Sequence, residues 1–240
     1  MMISLILAVI AGLPTNCTGC SFAGRDLHGT DLAGASYVGV DFARTDLRDA
    51  NLQGAKLVGV DFRDADLRGA DLRNANLTGA EFSGARMHGV RFGSTNLTGA
   101  DLRDATNGLD DADLRGLLWQ CVGCDVRGAS LGGRDLSGIS ILGSDLRDAN
   151  ARGARLAGAD LEGVDFVNAD LRRADLRDSR LCSRNEDGRV GCADFHGAKL
   201  QGANLRGALV CTGREPRSCD PIDAAMLRRI SGSSLDGAIL

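Results

Sequence analysis

Residues 45–80 read TDLRDANLQGAKLVGVDFRDADLRGADLRNANLTGA, and this stretch decides the fold. One unit of five residues repeats through it without a gap: a small residue, a polar residue, a large apolar residue, and two polar or small residues. Neither an α-helix nor a β-strand has a period of five, so the pattern predicts a repeat architecture.

The large apolar residue is the centre of each unit, and centres recur at every fifth position from Phe22 to Leu102. The small residue two positions earlier shares the inward direction, because side chains of extended backbone alternate between two faces. The residue between them, usually Asp or Asn, then points outward. The last two residues, often Arg-Gly or Arg-Asp, suit a corner turn.

A second period of 20 residues sets the size of the coil, because phenylalanines recur at that spacing in the first half of the chain. Four units of five therefore make one turn, and the sequence predicts an all-β fold: a right-handed, four-sided parallel β-helix with a filled interior. Stacked coils would pair their backbones at about 4.8 Å per step. The predicted core column contains Phe22, Phe42, Phe62, Phe82, Phe166 and Phe195.

The repeat resembles that of the pentapeptide-repeat family, whose signature is A-(D/N)-L-x-x. Residues 65–69 read ADLRG, residues 70–74 read ADLRN and residues 75–79 read ANLTG. The resemblance covers residues 17–210 and implies the β-helical fold. It implies little about function, because one fold hosts many roles.

The repeat divides the chain into three parts: a leader at 1–16, a single β-helix at 17–219, and a short capping helix with a tail at 220–240. The β-helix has an irregular break at 106–120, where Leu114, together with Leu109 and Trp119, is expected to keep an inward register. The capping helix is predicted because Asp220 and Pro221 resemble an N-cap and a first helical residue. Such a cap would cover the open end of the solenoid.

The N-terminal sequence MMISLILAVIAGLPTN indicates a signal peptide cleaved near Ala11 or Gly12. Its apolar run is too short to span a bilayer as a helix, so no transmembrane segment is predicted. We therefore expect a secreted or periplasmic protein, and a bacterial one. The alternative is a cytoplasmic protein in which the apolar run caps the first coil.

Two cysteine pairs stand where the repeat is interrupted. Removing nine residues between Leu181 and Ala193 restores the repeat and makes Cys182 and Cys192 corner neighbours. Cys211 and Cys219 enclose a second insertion in the same way. Both pairs are predicted to be disulfides that close local loops, which requires an oxidising compartment.

The other four of the eight cysteines form two CxxC motifs. Cys17 and Cys121 fall on centre positions, whereas Cys20 and Cys124 fall on small inward positions. The hypothesis is a thiol or disulfide brace at the start of each repeat block. A thiol-redox role is the alternative, although a redox CxxC usually lies at a helix N-terminus.

The distribution of charged residues and histidines argues against nucleic-acid binding and against a metal site shared by two histidines. The net charge is −4 with a pI near 5.4, so the chain has no basic footprint for nucleic acid. One outward column is acidic and is expected either to be a solvated face or to attract a basic partner; it contains Asp41, Asp61, Glu81 and Asp101. His28 and His88 share another column three coils apart, too far to ligate one metal.

No nucleotide, metalloprotease or hydrolase motif occurs, so no catalytic residue, cofactor or metal is predicted. The preferred interpretation is a non-enzymatic structural or protein-interaction solenoid that docks an unknown partner, or another copy of itself, through its faces, ends or loops. The resemblance supplies an alternative, since some family members mimic DNA, bind gyrase and protect it from quinolone-type inhibitors.

Overall fold

The structure is a computed structural model that describes residues 13–184, 190–210, 220–225, 228 and 238–240. The chain divides into two compact units, Met1–Cys121 and Val122–Leu240. The two units have the same kind of coil, and each is considered by itself below.

The first unit is a stack of coils with a period of 20 residues. Parallel bridges join Asp26 to Asp46 and Asp46 to Asp66, and the same spacing continues through the unit. The Leu47 N–H donates to the Asp66 carbonyl at 2.8 Å. Two neighbouring coils are regular enough to form short strands, β1 (Asn16–Thr18) and β2 (Ser36–Val38), which pair in parallel.

Each corner of the coil is a tight turn between two inward side chains. At one such corner the Ala55 N–H donates to the Leu52 carbonyl at 3.1 Å, and Gly54 has φ of 67°. A positive φ at the third residue is typical of a type II turn and explains the glycines at this position. Asp64 takes the same place at another corner with φ of 57°, so aspartate also serves there.

The interior of the first unit is a buried column of aromatic rings flanked by leucine and alanine. The Phe42 and Phe62 ring centroids lie 5.5 Å apart with planes 9° from parallel, and those of Phe62 and Phe82 lie 5.1 Å apart. Phe22 stacks on Phe42 at 5.2 Å. Phe62 and Phe82 are fully buried. Burial of each such ring contributes about 1.5–3 kcal/mol.

The irregular break contains a helix, which the repeat pattern did not predict. Helix α1 (Asp111–Leu118) begins after the N-cap Asp110, whose carboxylate accepts the Asp113 N–H at 2.9 Å. Its buried face consists of Leu114, Leu117 and Leu118. These leucines have the spacing of one helical face, so the local period changes from five to 3.6.

Trp119 does not keep the predicted inward register. Its side chain is 54% exposed, whereas Leu109 and Leu114 are buried as expected. Trp119 is the C-cap of α1, and the rotation of about 100° per residue turns it away from the face that Leu114 and Leu118 bury.

The second unit repeats the 20-residue coil until the insertion. Parallel bridges join Asp125 to Asp145 and Asp145 to Asp165, but Asp165 then pairs with Asp194. The spacing has grown from 20 to 29, which is the nine-residue insertion that the sequence indicates. Phe166 and Phe195 stack at 5.2 Å across this longer step.

Two β-hairpins replace ordinary corners in the second unit. Strands β3 (Arg180–Arg184) and β4 (Val190–Cys192) are antiparallel, and so are β5 (Leu209–Val210) and β6 (Asp220–Pro221). Strand β3 also pairs in parallel with β5, giving the order β4-β3-β5-β6.

The prediction that Asp220 and Pro221 start the capping helix is wrong. They form β6 and pair with Val210 and Leu209, because the second insertion closes as a hairpin before the chain can turn into a helix. The predicted helix begins later, since Ala224, Ala225 and Arg228 are helical, and its other residues lie outside the described residues. At the end of the chain Ile239 bridges to Asn204, so residues 238–240 rejoin the coil.

Candidate interaction surfaces

The outward faces carry a repeated bracket of aspartate and arginine. The Asp46 carboxylate accepts one hydrogen bond from the Arg48 backbone N–H at 3.1 Å and another from Arg48 Nη2 at 2.6 Å. The pair forms because Asp and Arg flank an inward leucine, and alternation points both side chains outward. The same bracket occurs at Asp61/Arg63, Asp66/Arg68, Asp71/Arg73, Asp101/Arg103, Asp125/Arg127, Asp145/Arg147, Asp170/Arg172 and Asp175/Arg177.

The brackets hold their carboxylates in the charged form. Hydrogen bonds from the Arg172 side chain lower the pKa of Asp170 to about 2, and those from Arg48 lower the pKa of Asp46. A general acid or base works best with a pKa near the operating pH. These aspartates are shifted the other way, so their environment suits a fixed surface charge.

The acidic column of the first unit is partly neutralised. Asp61 binds Arg63 at 2.5 Å, and the Nε of the same arginine lies 3.4 Å from Glu81 in the next coil. Asp101 binds Arg103 at 2.5 Å. The column therefore presents alternating charge, and at this exposure each ion pair contributes only about 0–1 kcal/mol.

The two hairpins of the second unit form the most distinctive surface feature. Cys182 and Cys192 are directly opposed in the β3–β4 register, with Cα atoms 3.9 Å apart, and the structure joins their sulfur atoms. The Ala193 N–H donates to the Leu181 carbonyl at 2.7 Å, so the corner turn persists beneath the insertion. Cys211 and Cys219 lie outside the described residues.

Comparison with known proteins identifies the repeat. A family model described as pentapeptide repeats matches eight copies at residues 26–64, 65–105, 144–181 and 192–209, which is more than half of the chain. The chain belongs to the pentapeptide-repeat family. No curated protein sequence is significantly similar to it.

Solved structures of other pentapeptide-repeat proteins are similar to parts of the chain. HetL, involved in heterocyst differentiation regulation in the cyanobacterium Nostoc sp. strain PCC 7120, is 28% identical, with 86% of this chain and 92% of HetL covered and a TM-score of 0.32. A thylakoid-lumen protein of Arabidopsis thaliana is 29% identical over 62% and 70% of the two chains, with a TM-score of 0.28. QnrB1, a plasmid-mediated fluoroquinolone resistance protein, is 17% identical over 94% and 91%, with a TM-score of 0.36.

The CxxC motifs differ from the regular pentapeptide repeats because their cysteines can form disulfides or act as redox thiols. Cys17 lies on β1 in register with Tyr37, and the structure joins it to Cys20, with Cα atoms 6.0 Å apart. Both are partly exposed. Cys121 and Cys124 are buried and each is disulfide-bonded. Because Cys17 lies on a strand, it lacks the helix N-terminus that usually activates a redox thiol.

The histidines are all close to carboxylates. His28 Nδ1 lies 4.0 Å from Asp49, and His196 Nδ1 hydrogen-bonds Asp194. His88 Nδ1 lies 2.7 Å from Oδ2 of Asp113 in α1. Sequence reasoning missed this last contact, because it depends on a helix outside the repeat.

Among the described residues, no helix combines the length and the apolar character that crossing a membrane requires.

Proposed function

We propose that this pentapeptide-repeat protein is an exported, non-enzymatic interaction scaffold whose recognition element is the paired hairpins of the second unit. The observation that carries the proposal is the pairing of β3 with β5. Two insertions on successive coils lie side by side and form one four-stranded sheet. Loops supported by a rigid scaffold are where binding residues usually lie.

The solenoid under the hairpins is suited to be that scaffold. Its coils are tied by regular backbone hydrogen bonds and a close-packed core, and we take the coil to be right-handed, as in the family. The outward faces consist mostly of brackets such as Asp170/Arg172, in which the aspartate and arginine charges pair with each other, so little unpaired charge is left for a partner. The hairpins are the part of the second unit that departs from this regular surface.

Export is supported by the cysteines and by the apolar N-terminal run. The structure joins Cys182 to Cys192 and Cys17 to Cys20, and such bonds persist in oxidising compartments. The apolar run, at residues 3–13, lies almost entirely outside the described residues. A periplasmic or secreted location accounts for both features.

DNA mimicry with gyrase as the partner is the second candidate, and one observation favours it: Asp41, Asp61, Glu81 and Asp101 are stacked in register. Arg63 pairs with Asp61 and Glu81, and Arg103 pairs with Asp101, so the column does not present the continuous negative charge of a phosphate backbone. A gyrase supercoiling assay with a quinolone separates the candidates. Dose-dependent protection by the protein would favour mimicry over the scaffold.

Site-specific photo-crosslinking in the native host tests the recognition element. A photoreactive amino acid at position 190 in β4 is expected to yield one discrete crosslinked species. The control carries the same amino acid at position 68, on a bracketed face of the first unit, and is expected to yield none. Crosslinking from position 68 alone would show that the faces, and not the hairpins, contact the partner.

A further inference from the structure

Three metal-ligating side chains converge where helix α1 meets the coil of the first unit. The Nδ1 of His88 and one carboxylate oxygen each from Asp110 and Asp113 all lie within 4.8 Å of one another. His88 and Asp110 are exposed, and the Asp113 side chain is only 16% exposed. No other group of three such donors occurs within the part of the chain that the structure describes.

The convergence is built from separate parts of the chain. His88 occupies the outward position after Met87, an inward centre, and Asp110 and Asp113 belong to the N-cap and first turn of α1. Asp113 Oδ2 also accepts the Gly89 N–H at 2.9 Å, which holds the helix start against the corner that carries His88. The two backbone segments that carry the donors are therefore held together.

The donor set indicates the class of ligand. One imidazole nitrogen and two carboxylate oxygens suit borderline cations such as Zn²⁺, Co²⁺ and Ni²⁺, whereas Ca²⁺ and Mg²⁺ prefer oxygen ligands alone. Bonds of about 2.0–2.2 Å to a common ion require donors roughly 3–4 Å apart. Rotation of the exposed His88 and Asp110 side chains toward Asp113 would close the remaining distance.

The charge at this point also favours a cation. The N-terminus of a helix carries a partial charge of about +0.5, which opposes a cation. The first turn and N-cap of α1 place three carboxylates there, at Asp110, Asp111 and Asp113. Their combined charge exceeds that of the helix dipole.

We propose that His88, Asp110 and Asp113 bind one divalent transition-metal ion of the Zn²⁺ class. The ion replaces the direct hydrogen bond between His88 and Asp113 and completes its coordination with water. Because its ligands come from the coil and from α1, the bound ion fastens the inserted helix to the solenoid. This site is independent of the hairpins.

Isothermal titration of the oxidised full-length protein with Zn²⁺ and with Co²⁺ tests the site. One ion is expected to bind per chain, and His88→Ala is expected to weaken binding about tenfold or more, because loss of even an outer-shell partner of a metal ligand costs about tenfold to a hundredfold. Asp110→Ser removes a ligand but keeps a good N-cap side chain, so it is expected to weaken binding while α1 stays folded.

The matched control is His28→Ala. His28 occupies the same outward column and also faces a carboxylate, at 4.0 Å, but among the described residues it belongs to no group of three donors, so its loss is expected to leave the affinity unchanged. The Co²⁺ complex is expected to lack the thiolate charge-transfer band that cysteine ligands produce. Binding that His88→Ala and Asp110→Ser leave unchanged, or no binding at all, would overturn the assignment.

Discussion

The corner turns provide a prediction whose size follows from the structure. Gly84 and Gly79 both have positive φ, at 73° and 66°. A Cβ added at Gly84 would lie 2.5 Å from Oδ1 of Asp64 in the preceding coil, whereas a Cβ added at Gly79 meets nothing within 4 Å. Alanine at either position carries the left-handed backbone penalty of about 1–2 kcal/mol.

Gly84→Ala carries a further cost, because the Asp64 carboxylate must leave its rotamer. An off-rotamer side chain costs about 0.5–1.5 kcal/mol. We therefore expect Gly84→Ala to lower the free energy of unfolding by about 1.5–3.5 kcal/mol, and Gly79→Ala by about 1–2 kcal/mol. Guanidinium unfolding followed by circular dichroism measures both.

The double variant Asp64→Gly/Gly84→Ala isolates the contact. With the carboxylate removed, alanine at position 84 is expected to cost no more than alanine at position 79, so the double-mutant cycle gives a coupling energy of about 1 kcal/mol. A zero coupling energy, or equal losses for the two single variants, would refute the coil-on-coil register at these corners.

Three further predictions concern the core, the brackets and the first hairpin. Phe62→Ala is expected to lower the free energy of unfolding by about 3–5 kcal/mol, and Phe62→Leu by less, because the ring is fully buried between two others. Guanidinium unfolding measures both losses, and a loss under about 1 kcal/mol for Phe62→Ala would contradict the stack. Arg172→Gln is expected to raise the pKa of Asp170 from about 2 toward 3.8 in an NMR titration of the carboxyl carbon. Because the folded pKa is lowered, the stability that this bracket adds is present above pH 3.8 and is lost as the pH falls toward 2, so the wild-type protein should be more stable than the variant above pH 3.8 and the difference should shrink toward pH 2; an unchanged pKa would show that Arg172 is not its cause. Deleting residues 183–191 together with Cys182→Asn and Cys192→Gly is expected to leave the coil folded, because the corner hydrogen bond from the Ala193 N–H to the Leu181 carbonyl already exists beneath the insertion. The circular dichroism spectrum is expected to stay unchanged. Loss of the β-sheet signal would show that the hairpin is part of the core.

The sequence predicted the features that the repeat itself determines. The 20-residue period and the nine-residue insertion after Leu181 follow from counting, because each coil must place one large residue at each of four inward positions. The bridge from Asp165 to Asp194 has the spacing that this count requires.

The sequence did not predict features that depend on a change of local period. Asp110 as an N-cap and the spacing of Leu114, Leu117 and Leu118 indicate a helix, but a strict period of five interprets the same leucines as solenoid positions. The misplacement of Trp119 follows from that choice. The prediction that Pro221 starts a helix was wrong for a similar reason, since a proline next to an aspartate is compatible with a strand end as well as with a helix start.

The candidate sites depended even more on tertiary structure. The pairing of β3 with β5 and the meeting of His88 with Asp113 join residues 20 or more positions apart in ways that no local motif encodes. Both contacts depend on the three-dimensional positions that the insertions and the helix take on the coil.

The central claim is that the protein works outside the cytosol with its hairpins held by disulfides. Intact-mass measurement on protein from its native fraction, alkylated with and without reductant, tests this claim most directly. The account predicts a chain shortened near Ala11 or Gly12 in which none of the eight cysteines reacts before reduction. A full-length chain with eight reactive thiols would contradict it.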